Sequence, residues 1–210
     1  EGKRIRYQFL SILSHELKSP LNAIESYLLM MKEKQAGDHI DNYGQMIERA
    51  LSRVEGMRNL TMDLLDFTKI RLEKKKEKVS EVNIKDLAKL SISTVKPYAI
   101  QKNVRIQLNV DPELKMRIND NDLEIIFNNL LSNAVKYNNN NGQVAFDIFE
   151  QDGFIIIRVK DEGIGMTEEE MAGLFKEFSR VRNEKTKNIS GSGLGLSIVR
   201  KITEIYKGKI

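Results

Sequence analysis

Cysteine is absent from the 210 residues of this chain. Its absence removes disulfides, thiolate metal sites and cysteine nucleophiles together. Histidine is nearly absent too: His15 and His39 are the only two, too few for a multi-histidine metal centre. No apolar run approaches the ~20 residues that a membrane-spanning helix needs, and no secretory pattern opens the sequence. The chain begins at Glu1 without an initiator methionine, so it is read as a piece of a longer protein, with a membrane segment upstream left open. The expected setting is the cytoplasm, with which a sequence free of cysteine is compatible. A large charge of one sign is also missing, since the formal net charge is +4. The cationic cluster Lys74, Lys75, Lys76 and Lys78 is interleaved with Glu73 and Glu77 and has no aromatic companions. It reads as a solvated helix end and linker, and no nucleic-acid partner is expected.

What is present is a soluble globular balance, 40% hydrophobic and 30% charged, with room for one or two domains. Residues 1 to about 36 read as one long helix, because Phe9, Ile12, Leu13, Leu17, Leu21, Ile24, Leu28 and Met31 recur at three- and four-residue spacing. Gln35-Ala36-Gly37-Asp38 breaks it. A second long helix follows to about Lys74, with Tyr43, Ile47, Ala50, Leu51, Val54, Met57, Leu64, Leu65 and Ile70 inside. Two long helices with a short connection predict an antiparallel hairpin, and a lone hairpin leaves apolar surface that a second copy would cover as a four-helix bundle.

Beyond the linker the texture changes. Residues 83–101 read as helix and Val104–Val110 as a half-buried strand. Asn119 or Asp120 caps a helix to about Tyr137. Gly142–Glu150 and Phe154–Lys160 read as strands joined by a tight turn at Gln151-Asp152-Gly153. A short helix starts at Thr167 with Glu170 three residues on, a polar loop spans 179–193, and a last helix begins near Gly193. Strands grouped against helices without strict alternation predict an α+β fold: a helical hairpin over 1–78, then a two-layer sandwich over 79–210.

Four constellations carry chemistry. In Ser14-His15-Glu16-Leu17-Lys18-Ser19-Pro20, proline lacks an N–H and its ring crowds the carbonyl of Glu16, so a kink is expected one turn beyond His15. A neutral imidazole is a good nucleophile near neutral pH, and Glu16 is placed to take its other proton. Taken alone, His15 reads equally well as a surface histidine. In Asn129-Leu130-Leu131-Ser132-Asn133-Ala134-Val135-Lys136-Tyr137, Asn129 and Asn133 share a helix face, and amide oxygens suit Mg2+. Alone, they are two polar residues on a solvated face. Asp161-Glu162-Gly163-Ile164-Gly165-Met166 follows a strand. Its glycines permit close backbone approach to a ligand, and Asp161 can accept from an exocyclic amine. Gly191-Ser192-Gly193-Leu194-Gly195-Leu196 opens a helix whose N–H groups suit phosphate. With no strand before it and no Gly-Lys-Ser/Thr after it, it is neither a Rossmann nor a Walker loop.

In this order and at these separations, the four resemble the sensor histidine kinases of two-component systems. Residues 9–31 are similar to the phosphoacceptor box, 129–137 to the Asn box, 161–166 to the first Gly box, 174–180 to the Phe box and 191–196 to the second Gly box. The resemblance covers nearly the whole chain. It implies a dimerisation and phosphotransfer hairpin followed by an ATP domain of the type shared with DNA gyrase and the MutL repair proteins. On it, His15 carries the phosphoryl group and Glu16 is the general base. Asn133 is the Mg2+ ligand. Asn129, Lys136 and Tyr137 line the ATP, Asp161 specifies adenine, and Gly163, Gly165, Gly191, Ser192, Gly193, Leu194, Gly195 and Leu196 form the two Gly boxes. Between Phe178 and Gly191 lies the lid, and Arg180 or Arg182 meets the γ-phosphate. The implied partners are a second copy and the receiver domain of a response regulator. Two departures stand out. Ser19 occupies a position where Thr or Asn helps orient the water that hydrolyses the phosphorylated partner. The chain also stops at Ile210, where the family continues into one or two more strands, so the ATP domain is expected to be truncated. A nucleotide-binding module without catalysis and a gyrase-type ATPase are the competing readings. The gyrase-type base position is occupied by Asn129, which counts against the ATPase.

Overall fold

The computed structural model describes residues 2–72, 79–181, 183–186, 189 and 191–210, with side chains described from Leu13 to Thr68 in the first stretch. Arg182, the cluster Lys74, Lys75, Lys76 and Lys78 with Glu73 and Glu77, and the side chains of Phe9, Ile12 and Ile70 lie outside the described residues. The chain divides into two units, Glu1–Leu65 with Ser190–Ser192, and Asp66–Ile189 with Gly193–Ile210.

The first unit is helical. α1 (Gly2–Lys32) passes through Pro20 without ending. A short 3-10 turn (Ile40–Tyr43) precedes α2 (Gly44–Leu72). α1 stops four residues before the expected boundary because Lys34 enters the left-handed region at φ 51°. The N–H of Lys34 then reaches the carbonyl of Met31 and that of Gln35 reaches Met30, each at 3.1 Å, which closes the helix on its own backbone. Tyr43 is buried and ties the connection together. Its hydroxyl donates to the carbonyl of Gly37 at 2.8 Å and accepts the N–H of Ala36 at 3.1 Å. Leu13 and Leu60 are buried, whereas Leu21, Leu28, Leu51, Val54 and Leu65 are exposed.

The second unit is the sandwich. In chain order it contains β1 (Ser80–Asn83), α3 (Ile84–Gln101), β2 (Arg105–Val110), β3 (Lys115–Ile118), α4 (Asp120–Lys136), β4 (Gln143–Gln151), β5 (Phe154–Asp161), α5 (Glu168–Met171) and α6 (Gly195–Ile205). β2 runs parallel to β4, and β4 antiparallel to β5; β1 and β3 form a separate antiparallel pair. The pair β1–β3 has no sequence forecast, since four-residue strands are too short for a period to register. Val144, Phe146 and Ile148 alternate along β4 into the core, where Phe146 meets Phe127 of α4 edge to face at 5.0 Å, worth about 0.5–1.5 kcal/mol beyond area burial. Ile198, Val199 and Ile202 bury the inner face of α6. The β4–β5 turn puts Asp152 and Gly153 at φ 51° and 75°, the two-residue hairpin turn whose twist matches the strands. Asn119 caps α4 by accepting the N–H groups of Asn121 and Asp122. Thr167 and Glu170 make the expected reciprocal box at α5.

Candidate active site

In the first unit, His15 and Glu16 sit in mid-helix. The imidazole is 77% exposed and the carboxylate 23%, with Nδ1 and Oε1 3.7 Å apart. Burial of Leu13 on the adjacent face turns His15 to the edge of the apolar stripe. Ser19, one turn further, is exposed. Ser192 also belongs to this unit, where its hydroxyl donates to the carboxylate of Asp63 on α2. Gly193, Leu194, Gly195 and Leu196 of the second Gly box belong to the second unit.

In the second unit the Asn box, first Gly box, Phe box and the remainder of the second Gly box are brought into contact. A Cβ on Gly195 would fall 2.2 Å from Oδ1 of Asn129. Asn129 is held there by Nδ2 donating to the carbonyl of Ile125 at 2.8 Å. A Cβ on Gly163 would fall 2.3 Å from the carbonyl oxygen of Tyr137, and one backbone bridge pairs Asn138 with Gly163. Gly193, at φ 73°, packs against the backbone of Phe178, where a Cβ would come within 2.8 Å. Phe178 itself has φ 59°, an uncommon backbone for a bulky residue that turns the Phe box toward the second Gly box. A Cβ would strike backbone at 163 and 193 and the Asn129 side chain at 195, so these glycines permit close approach.

Around this cluster stand the polar groups. Oδ1 of Asp161 accepts the N–H of Gly163 at 2.9 Å, which fixes the carboxylate at the end of β5. Lys136 places its ammonium 5.4 Å from the centre of the Tyr137 ring. Burial pushes the Tyr137 hydroxyl up, and the nearby positive charge of Arg180 offsets part of that. Arg180 donates to the carbonyl of Ile189 in the lid segment at 2.6 Å. Leu194 is buried and Leu196 half-buried. Leu194, at the N-cap of α6, supplies no side-chain cap. Gly165 has φ 64° in open space, so it serves the turn.

Asn133 is half-buried on α4. Among the described residues no cluster of acidic, histidine or cysteine side chains can hold a metal. The side-chain amide oxygen of Asn133 is a hard donor of the kind Mg2+ accepts beside phosphate oxygens and waters. Sequence reasoning missed Asn138. It is buried, its Nδ2 donates to the carbonyl of Gln143 at 3.0 Å, and its Oδ1 would meet a Cβ on Gly142 at 2.2 Å. Its only signal was its place in the polar run after Tyr137.

Comparison with known proteins agrees with this geometry. Residues 5–73 match the family described as His Kinase A (phospho-acceptor) domain, and residues 118–210 match that described as Histidine kinase-, DNA gyrase B-, and HSP90-like ATPase. The chain is 30% identical to sensor histidine kinase WalK of Bacillus subtilis over 207 residues, covering 98% of this chain and 34% of that protein. It is 26% identical to sensor histidine kinase RcsC of Escherichia coli over 212 residues, covering 100% and 22%. The chain thus spans a fifth to a third of the curated relatives' length. Among solved structures, histidine kinase ThkA in complex with response regulator protein TrrA superposes with TM-score 0.71 at 20% identity, covering 99% of this chain and 59% of that one. Histidine kinase AdeS of Acinetobacter baumannii gives 0.69 at 19% identity, covering 90% and 86%. With a phosphoacceptor region followed by a Gly- and Asn-box nucleotide cluster, the chain belongs to the sensor histidine kinases of two-component systems.

Proposed function

We propose that this chain binds ATP with Mg2+ in its second unit and transfers the γ-phosphoryl group to His15. The observation that carries the reading is the close approach of the two Gly boxes to the Asn box, Gly163 against Tyr137 and Gly195 against Asn129, with Asp161 accepting the N–H of Gly163. A ring nitrogen of His15 attacks the γ-phosphorus. The N–P bond forms, the bond to the β-phosphate oxygen breaks, ADP leaves, and Glu16 accepts the imidazole proton. Lys136 and Arg180 oppose charge on the phosphoryl oxygens. Mg2+, when bound at Asn133, neutralises phosphate charge. Arg182 is proposed as the alternative to Arg180 for meeting the γ-phosphate, and Gly191 and Ser192 as ATP-binding residues of the second Gly box.

The phosphoryl group then passes to an aspartate of a response regulator's receiver domain. The TrrA-bound relative supports this partner. The exposed leucines of α1 and α2 support a homodimer through residues 1–78, with the ATP domain over 79–210. Incubation with γ-labelled ATP and Mg2+ tests the reaction. An acid-labile, base-stable protein adduct is expected. Free phosphate alone would make the chain an ATPase, and neither product would make it a binding module.

A further inference from the structure

Lys102 lies outside every box. It is the last residue of α3's cap, and its ammonium reaches across 33 to 36 residues of sequence to the far end of α4. There it donates to the carbonyls of Val135, Lys136 and Asn138 at 3.3, 2.8 and 2.8 Å. An ammonium has three donors, and all three are spent on one turn of chain. The carbonyl of the same residue accepts the N–H of Asn141 at 2.9 Å. Lys102 thus grips the loop after the Asn box at both ends.

The other helix ends show why this grip exists. α1, α3 and α6 close on their own backbone, with Lys34, Asn103 and Lys207 in the left-handed region. α4 has no such residue, and its own basic residue, Lys136, lies over the Tyr137 ring instead. The last carbonyls of a helix need donors and favour a cation; the N–H of Asn138 reaches Val135 at 3.3 Å, and Lys102 adds the cation and the donors to Val135, Lys136 and Asn138. The loop so held carries the nucleotide cluster. The N–H of Ile164 donates to the carbonyl of Tyr137 at 3.1 Å, Asn138 bridges Gly163, and Gly163 in turn holds Asp161.

From this geometry we infer that Lys102 is a positioning residue for the nucleotide site, holding the Tyr137–Asn138 segment on which Gly163 and Asp161 are seated. The inference rests on the ATP-binding reading above. Lys102→Met keeps the stem and removes all three donors; Lys102→Arg keeps charge and donors. In Lys102→Met the amide of Ile164 should exchange with solvent at least ~10-fold faster, while that of Ile198 in the core of α6 stays protected. The dissociation constant for ATP should rise ~10-fold or more. The KM for ATP should rise with kcat changed less than ~2-fold, because the group acts on binding, and Lys102→Arg should recover most of the loss. Parental ATP affinity in Lys102→Met overturns the inference, whether or not Ile164 loosens. Equal acceleration at Ile164 and Ile198 also overturns it, by showing a general structural role. A parent chain that binds no ATP refutes the functional reading instead, and the exchange of Ile164 still decides whether Lys102 holds the loop.

Discussion

Nδ1 of His15 lies 3.7 Å from Oε1 of Glu16 on the solvent-facing side of α1. That is about half an ångström beyond hydrogen-bond reach, a gap one side-chain rotation closes. The proposed nucleophile and base lie to one side of the buried stripe, since Leu13 takes the buried position beside them. Glu16→Gln keeps the shape and removes the proton acceptor. Autophosphorylation should slow by roughly 10²–10⁴-fold with ATP affinity unaltered. His15→Ala should abolish the adduct, and His39→Ala, at the turn before the 3-10 segment, should not. Mass spectrometry under non-acidic conditions reads the site directly; a phosphoryl group elsewhere would refute the mechanism.

Asp161→Ala removes the acceptor of the Gly163 N–H and the carboxylate assigned to adenine. A hydrogen bond to a charged group is worth about 1.5–3 kcal/mol, so ATP should bind some tenfold or more weakly by calorimetry. Undiminished affinity would remove Asp161 from the site.

Gly195→Ala would set a methyl group 2.2 Å from Oδ1 of Asn129, which is itself held by Ile125. Either the start of α6 or the Asn129 side chain must shift, and a loss of about 0.5–3 kcal/mol in stability is expected together with weakened ATP binding. Gly44→Ala, in open space with helical backbone at the start of α2, is the control: by calorimetry ATP binding should be unchanged, and by thermal unfolding stability should rise by up to about 1 kcal/mol, the opposite sign.

Leu21 is 51% exposed and Leu51 58% exposed on the two long helices. Fully burying such a side chain is worth about 1.5–3 kcal/mol, so covering the half still exposed leaves about half of that for a second copy to gain at each. Leu21→Glu with Leu51→Lys should turn a dimer into a monomer in sedimentation, leaving ATP binding intact. An unaltered oligomer in the double variant would exclude the proposed bundle.

Glu170 links the α5 cap to the lid segment. It accepts the N–H of Thr167 at 2.9 Å and an amide proton of Asn183 at 3.0 Å. Those bonds, the backbone one first, hold its carboxyl below the ordinary value of 4.5. A depressed folded-state pKa makes the contribution fully present above that ordinary value and lost as pH falls through the folded one. The amide signals of Thr167 and Asn183 should therefore move together as pH falls below the ordinary carboxyl value of 4.5. Glu170→Gln should abolish that coupled titration; its persistence would assign the change to another group.

Much of this was legible in the residues because it is written in short range. The three-and-four spacing of Leu13, Leu17, Leu21 and Leu28 needs only helix geometry to become a stripe. Thr167 with Glu170, Asn119 before α4 and Asp152-Gly153 between strands act on neighbours within a few positions, so each was readable where it stood. The α1 terminus shows the limit. Lys34 in the left-handed region ends the helix early, and lysine carries no preference that announces it.

The sequence by itself determined the order of the boxes, and with it the class of chemistry, because Asn, Gly and His chemistry resides in the residue types and their local backbone needs. What only the tertiary structure decided was which atoms meet. That Asn129 faces Gly195, that Tyr137 backs Gly163, and that Lys102 caps a helix more than thirty residues away are consequences of packing α3, α4 and α6 onto β2, β4 and β5. Such pairings depend on how separate elements stack on a shared core. No local pattern encodes a long-range contact whose partners are a lysine and three backbone carbonyls, since every residue carries the carbonyl and only the fold selects which ones are left without a donor.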